Sequence, residues 1–93
     1  MSKVLVRVNV AYPAHLILEL QRFDRKRFGE LSYLAEQDDD IHNLVYVTFT
    51  WDTLAKAREF WRSQDGTEHV ASWHSIGKPE FVFLRTLPHE LLS

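Results

Sequence analysis

From Lys3 to Ala11 apolar and polar positions alternate: Val4, Val6, Val8 and Val10 fall on one face, and Leu5, Arg7 and Asn9 on the other. β-branched residues at period two predict a strand. Tyr12-Pro13 ends it, because proline donates nothing to a ladder and suits a first helical turn. The period then lengthens. Over Ala14–Arg27, Leu16, Ile17, Leu20 and Phe23 recur at helical spacing and predict one buried stripe. Arg22, Arg25, Lys26 and Arg27 crowd the end of that helix, where positive charge complements the helix dipole, and Gly29 suits the position just beyond it.

Glu30–Gln37 reads as a second strand, and the run Asp38 to Asn43 has turn chemistry. Leu44–Thr50 is a third strand, with Val45, Val47, Phe49 and Trp51 on one face and Leu44, Tyr46, Thr48 and Thr50 on the other. Asp52 stands where an N-cap belongs. Thr53–Ser63 is the second helix, with Leu54, Ala57, Phe60 and Trp61 on its apolar side. Ser63–Gly66 is expected to break it, Thr67–His74 to form a short further helix, and Glu80–Arg85 to form the fourth strand. The tail, Thr86–Ser93, is expected either to fray or to lie across a partner subunit.

Strand, helix, strand, strand, helix, strand is the split βαβ pattern. The prediction is one α+β, ferredoxin-like domain over residues 1–93, a four-stranded antiparallel sheet with helices on one face. Two helices cover only one face of such a sheet. The other face carries several large side chains, and pairing sheet to sheet in a homodimer is the simplest way to dry it.

Composition removes whole classes of function. With 11 Lys plus Arg against 13 Asp plus Glu, the net charge is −2, and nothing general draws nucleic acid. There is no cysteine, which excludes disulfides, thiolate nucleophiles and Cys-based metal sites. No apolar run approaches the ~20 residues of a membrane span, and a cytoplasmic protein is expected. The aspartates of Asp38–Asp40 lack the alternate spacing and closing glutamate of a calcium loop, so no metal is expected. No serine elbow, phosphate-cradling loop, dinucleotide fingerprint or His-Glu zinc motif is present.

The corner VYVTFTWDTLAKAREFWRS, from Val45 to Ser63, resembles the dimeric α/β-barrel superfamily, and within it the antibiotic-biosynthesis-monooxygenase-like proteins. The later segments DGTEHVASW and GKPEFVFL carry the same resemblance. It implies a homodimer with a pocket between each sheet and its helices, and a small aromatic or hydrophobic ligand. It also implies either cofactor-independent oxygenation of an aromatic substrate, heme binding or degradation, or a non-catalytic ligand-binding dimer. Oxygenases of the superfamily surround the corner tryptophan, here Trp51, with an asparagine and a tyrosine at positions that hold Val47 and Ala57 in this chain. The heme-degrading branch uses an asparagine, a tryptophan and a histidine in the order of Asn9, Trp61 and His69. Counted from the corner, Trp61 falls one position late and His69 one early, an offset of about 100° on a helix.

The candidate catalytic residues are therefore Asn9, His69 and His74. The buried amide of Asn9 would hold an oxyanion, and an imidazole would act as a base or a heme ligand. Each has an ordinary alternative: an amide satisfied by backbone, or a surface histidine. His69 and His74 stand about 140° apart on a helix, which is poor for joint metal binding. Trp51, Trp61 and Trp73 are the candidate substrate-binding residues, walls for a planar ring or plain core aromatics. Convergence of Asn9, His69 and Trp61 on one pocket, with Trp73 nearby, is the arrangement expected of an enzyme.

Overall fold

The computed structural model describes residues 2–85; the expectation for the tail concerns residues 86–93 and lies outside them. Eight elements follow in order: β1 (Ser2–Asn9), α1 (Pro13–Arg22), a 3-10 turn (Lys26–Phe28), β2 (Glu30–Gln37), β3 (Leu44–Trp51), α2 (Leu54–Arg62), α3 (Gln64–Ile76) and β4 (Glu80–Arg85). The strands form one antiparallel sheet in the order β2-β3-β1-β4. This is the predicted α+β, ferredoxin-like arrangement, with the expected further helix present as α3 between α2 and β4.

Register explains the core. Val4 pairs with Phe49, Val6 with Val47 and Val8 with Val45, and Phe81 and Phe83 lie opposite Val6 and Val4. Paired residues share a face, so the valine stripe and the β3 aromatics meet the helices on one side. There Leu16, Leu20, Ala57, Phe60, Trp61 and Trp73 close over them. Burial of these side chains is the main stabilising term.

Three local expectations change. α1 stops at Arg22 rather than continuing to Arg27. Ile17 is 54% exposed, so the buried stripe narrows to Leu16 and Leu20. The chain then turns through Lys26–Phe28 to Gly29, whose φ of 105° suits glycine. Arg25 is thereby carried inward instead of capping a helix, and it is buried.

Asp52 is not the cap of α2. Thr53 accepts from the Lys56 amide at 3.1 Å, and Asp52 pairs with the Lys56 ammonium at 2.8 Å. The break expected over Ser63–Gly66 is confined to Ser63. Ser63 ends α2, its amide bonding to the Glu59 and Phe60 carbonyls, and its hydroxyl accepts from the Gly66 amide at 3.1 Å. α3 therefore starts at once and runs 13 residues. Gly66 is a contact point rather than a breaker, since a Cβ there would stand 2.0 Å from the Phe60 carbonyl oxygen.

Candidate functional site

α2 presents two faces one turn apart. Ala57, Phe60 and Trp61 pack onto the sheet, while Arg58 and Arg62 stand exposed beside them. β4 is the edge strand next to β1, and its period-two alternation aims Phe81 and Phe83 toward the helices. Among the described residues no further strand covers that side, and both rings are only half-buried. Between α2, α3 and β4 this leaves a cleft of about 300 Å³ lined by Arg58, Trp61, Arg62, Val70, Phe81 and Phe83.

Its floor is aromatic. Trp61 and Phe81 lie 5.4 Å apart between ring centroids. The Arg58 guanidinium sits 4.8 Å from the centroid of Phe83, a cation–π contact that holds it over the cleft. Among the described residues neither Arg58 nor Arg62 has an anionic partner.

Behind Trp61 lies a polar group in a dry place. His69 is fully buried and stacks against the inner face of Trp61, with ring centroids 5.4 Å apart and planes 10° apart. Arg25, 3% exposed, donates from Nη1 to His69 Nε2 at 3.2 Å and bonds through Nε to the buried carboxylate of Glu30. Its guanidinium also lies 5.0 Å from the Tyr33 ring and 4.8 Å from the Phe49 ring. Arginine only donates, so Nε2 accepts and the neutral imidazole carries its proton on Nδ1. Burial, with the charges of Arg25 and Arg22, pushes the imidazole down to about 3, so it is neutral near pH 7. Burial also lifts the Glu30 carboxyl above its ordinary range, against the pull of Arg25. His69 Nδ1 and the indole nitrogens of Trp51, Trp61 and Trp73 are buried without a hydrogen-bond partner.

The expected convergence does not occur. Asn9 is exposed and pairs with Leu44 on the face turned away from the helices, so the sheet separates it from His69. The reason is the strand period: Asn9 is out of phase with the valines that define the core face. His74 is exposed on α3 and does not line the cleft. His69 is not a surface histidine, and Trp61 screens it from the cleft. Trp51 packs 5.5 Å from Phe60, and Val47 and Ala57 beside the corner are fully buried. Trp73 is a core ring 5.8 Å from His69. Of the three tryptophans only Trp61 lines the cleft. Sequence reasoning missed Phe81 and Phe83, legible as an alternating pair in EFVFLR, and Arg58 with Arg62, legible as unbalanced cations one helical turn apart. Nothing in the sequence marks Arg25 and Glu30 as buried.

The described residues do not fit heme. Among them no imidazole lines the cleft, and the Nε2 lone pair of His69 faces Arg25 rather than an open coordination position. Among the described residues no cluster of His, Asp and Glu could hold a metal ion, and no helix is long and apolar enough to cross a membrane.

No family model matches the chain, and no curated protein matches it. Solved structures do. SnoaB of Streptomyces nogalater, a cofactor-independent oxygenase, superposes with a TM-score of 0.74 over 94% of this chain and 93% of its own, at 14% identity. A Deinococcus radiodurans protein provisionally assigned as an antibiotic biosynthesis monooxygenase gives 0.72 over 95% and 94%, at 16% identity. An antibiotic biosynthesis monooxygenase gives 0.65 over 95% and 100%, also at 16% identity. The chain has the fold of these antibiotic-biosynthesis-monooxygenase-like proteins.

Proposed function

We propose that the chain binds a small planar aromatic molecule in the cleft over Trp61. The carrying observation is the cleft itself: about 300 Å³, floored by Trp61, Phe81 and Phe83. Three aromatic rings around one opening suit a flat apolar ligand, and that volume is at the lower end of small-molecule pockets. Stacked His69 stiffens the floor from behind. Calorimetric titration with 2-naphthol tests the reading. Binding should be saturable and should weaken about tenfold or more in Trp61→Leu, which removes the stacking surface. No binding by the unaltered chain would overturn it.

The fold shared with a cofactor-independent oxygenase supports a monooxygenase-like reaction on that ligand. In such chemistry the electron-rich substrate itself supplies the electrons that reduce dioxygen. The protein's share is to hold the ring in a dry place and to favour its anion. Uptake of dioxygen with an electron-rich phenol, without added metal or flavin, is the activity test. Uptake that matches the buffer control leaves a binding protein.

The assembly expected from this fold is a cytoplasmic homodimer closed through the open sheet face. Leu34, Thr48, Leu5 and Val82 form one cross-strand row there, flanked by the row Glu36, Tyr46, Arg7 and Glu80. An apolar stripe beside alternating charge suits pairing with a second copy.

A further inference from the structure

We infer that the cleft selects its ligand as an anion, with Arg58 and Arg62 bridging the ligand's carboxylate or phenolate oxygen, and that none of the described residues serves as a base to make that anion. This rests on the cleft over Trp61 being a ligand site and says which chemical class fills it.

The first support is charge. Arg58 and Arg62 are one helical turn apart on α2, both line the cleft, and neither meets a carboxylate among the described residues. Like charges at this spacing repel. An oxyanion placed between them removes the repulsion and gains charge-assisted hydrogen bonds. Arg58 is already held over Phe83, so part of the ordering cost is met before the ligand arrives. A flat ring on Trp61 with its oxyanion at the α2 lip satisfies both the apolar floor and the cationic rim.

The second support is the titratable groups around the cleft. Among the described residues its lining contains two guanidiniums and no imidazole, carboxylate or amine. Glu59 lies in the adjoining groove with Arg58 and Arg62, not in the cleft. His69 is behind Trp61 with its Nε2 engaged by Arg25. His74 and Asn9 lie elsewhere on the surface. Among the described residues nothing there would take a proton from a ligand that needed deprotonating after binding, whereas one already ionised finds two cations.

The closing experiment compares 2-naphthoate with its uncharged isostere 2-naphthamide by calorimetry on the full chain and on Arg58→Met/Arg62→Met. Both sites are exposed, so the variant keeps its core. Naphthoate should bind at least about fivefold more tightly at low ionic strength, with the advantage shrinking as salt rises. The advantage of naphthoate over naphthamide should disappear in the double variant. Equal affinities in the unaltered chain, or an advantage that survives the double variant, overturns the anion assignment and leaves the aromatic site standing. Failure of both ligands to bind overturns the site and this inference together. The missing base is read separately with 1-naphthol and 4-nitro-1-naphthol. The pH at which each begins to bind tightly should follow its own ionisation. A shared midpoint for both would show that a protein group controls binding and would contradict the inference.

Discussion

Arg25 and Glu30 are ions in the interior of a small domain. Taking each from water costs several kcal/mol, and only mutual contact and good geometry offset it. Arg25 also gives Nη1 to His69 and lies over Tyr33 and Phe49, so its removal strands a carboxylate and an imidazole at once. Arg25→Met should therefore cost about 3–5 kcal/mol in urea unfolding. Arg25→Met/Glu30→Leu should recover most of that, because no buried charge is left alone. Equal losses in the two variants would show that the pair is not coupled. His69 carries a pH signature. Its folded value of about 3 is below its ordinary 6.5, so the unfolded chain takes the proton first as pH falls. Stability from this group is fully present above about pH 6.5 and declines toward pH 3, by up to about 1.4 kcal/mol per pH unit. Glu30 works in the opposite sense: burial raises its carboxyl, so the folded chain holds that proton more tightly and the group's contribution to stability falls as pH rises above its ordinary 4.5. The difference between the unaltered chain and His69→Phe isolates the histidine: the variant should lose less stability between pH 6.5 and 4. Parallel curves would contradict the burial of an accepting, neutral imidazole.

At the scale of elements the sheet was legible and the helical layer only partly so. Alternation in β1, β3 and β4 translates directly into which face each side chain meets, because a strand has only two faces. The helical layer depends on contacts distant in sequence. Ser63 and Gly66 look like a break, yet Ser63 caps α2 and α3 together while Gly66 allows the α2 backbone to approach. Ser63→Ala should cost about 1 kcal/mol in thermal melts through the lost cap. Gly66→Ala should cost more, roughly 2–3 kcal/mol, through overpacking against Phe60 and Trp61. The reverse order would mean that the α2–α3 junction is held by the cap alone. The candidate site shows the same division. Trp61 was legible from helical spacing and is at the cleft. Asn9 was expected opposite it, but the phase of β1 turns that amide to the other face. His69 was located correctly on a helix, but its enclosure comes from Arg25, which reaches it only because α1 stops early.

At the scale of the whole molecule the sheet separates two surfaces. One face is covered by three helices and carries the cleft over Trp61 at the β4 edge. The other carries Leu5, Leu34 and Val82 in one row, with Leu34 58% and Val82 44% exposed. If that row is the dimer face, Leu5→Lys/Val82→Lys should halve the mass seen by light scattering without loss of helical signal. An unchanged dimer would place the interface elsewhere, and a monomer before substitution would remove it. The cleft is on the opposite side of the sheet, so ligand binding should survive the monomerising variant. A planar ligand is expected to sit in the opening over Trp61, walled by Phe81 and Phe83. The most direct measurement is a titration of the isotopically labelled chain with 2-naphthoate, followed by NMR through the three indole N–H signals and the Val70 methyl groups. Saturable shifts should be largest at the Trp61 indole and Val70, with Trp51 and Trp73 moving little. Shifts centred on Asn9 and the open sheet face, or none at all, would contradict it.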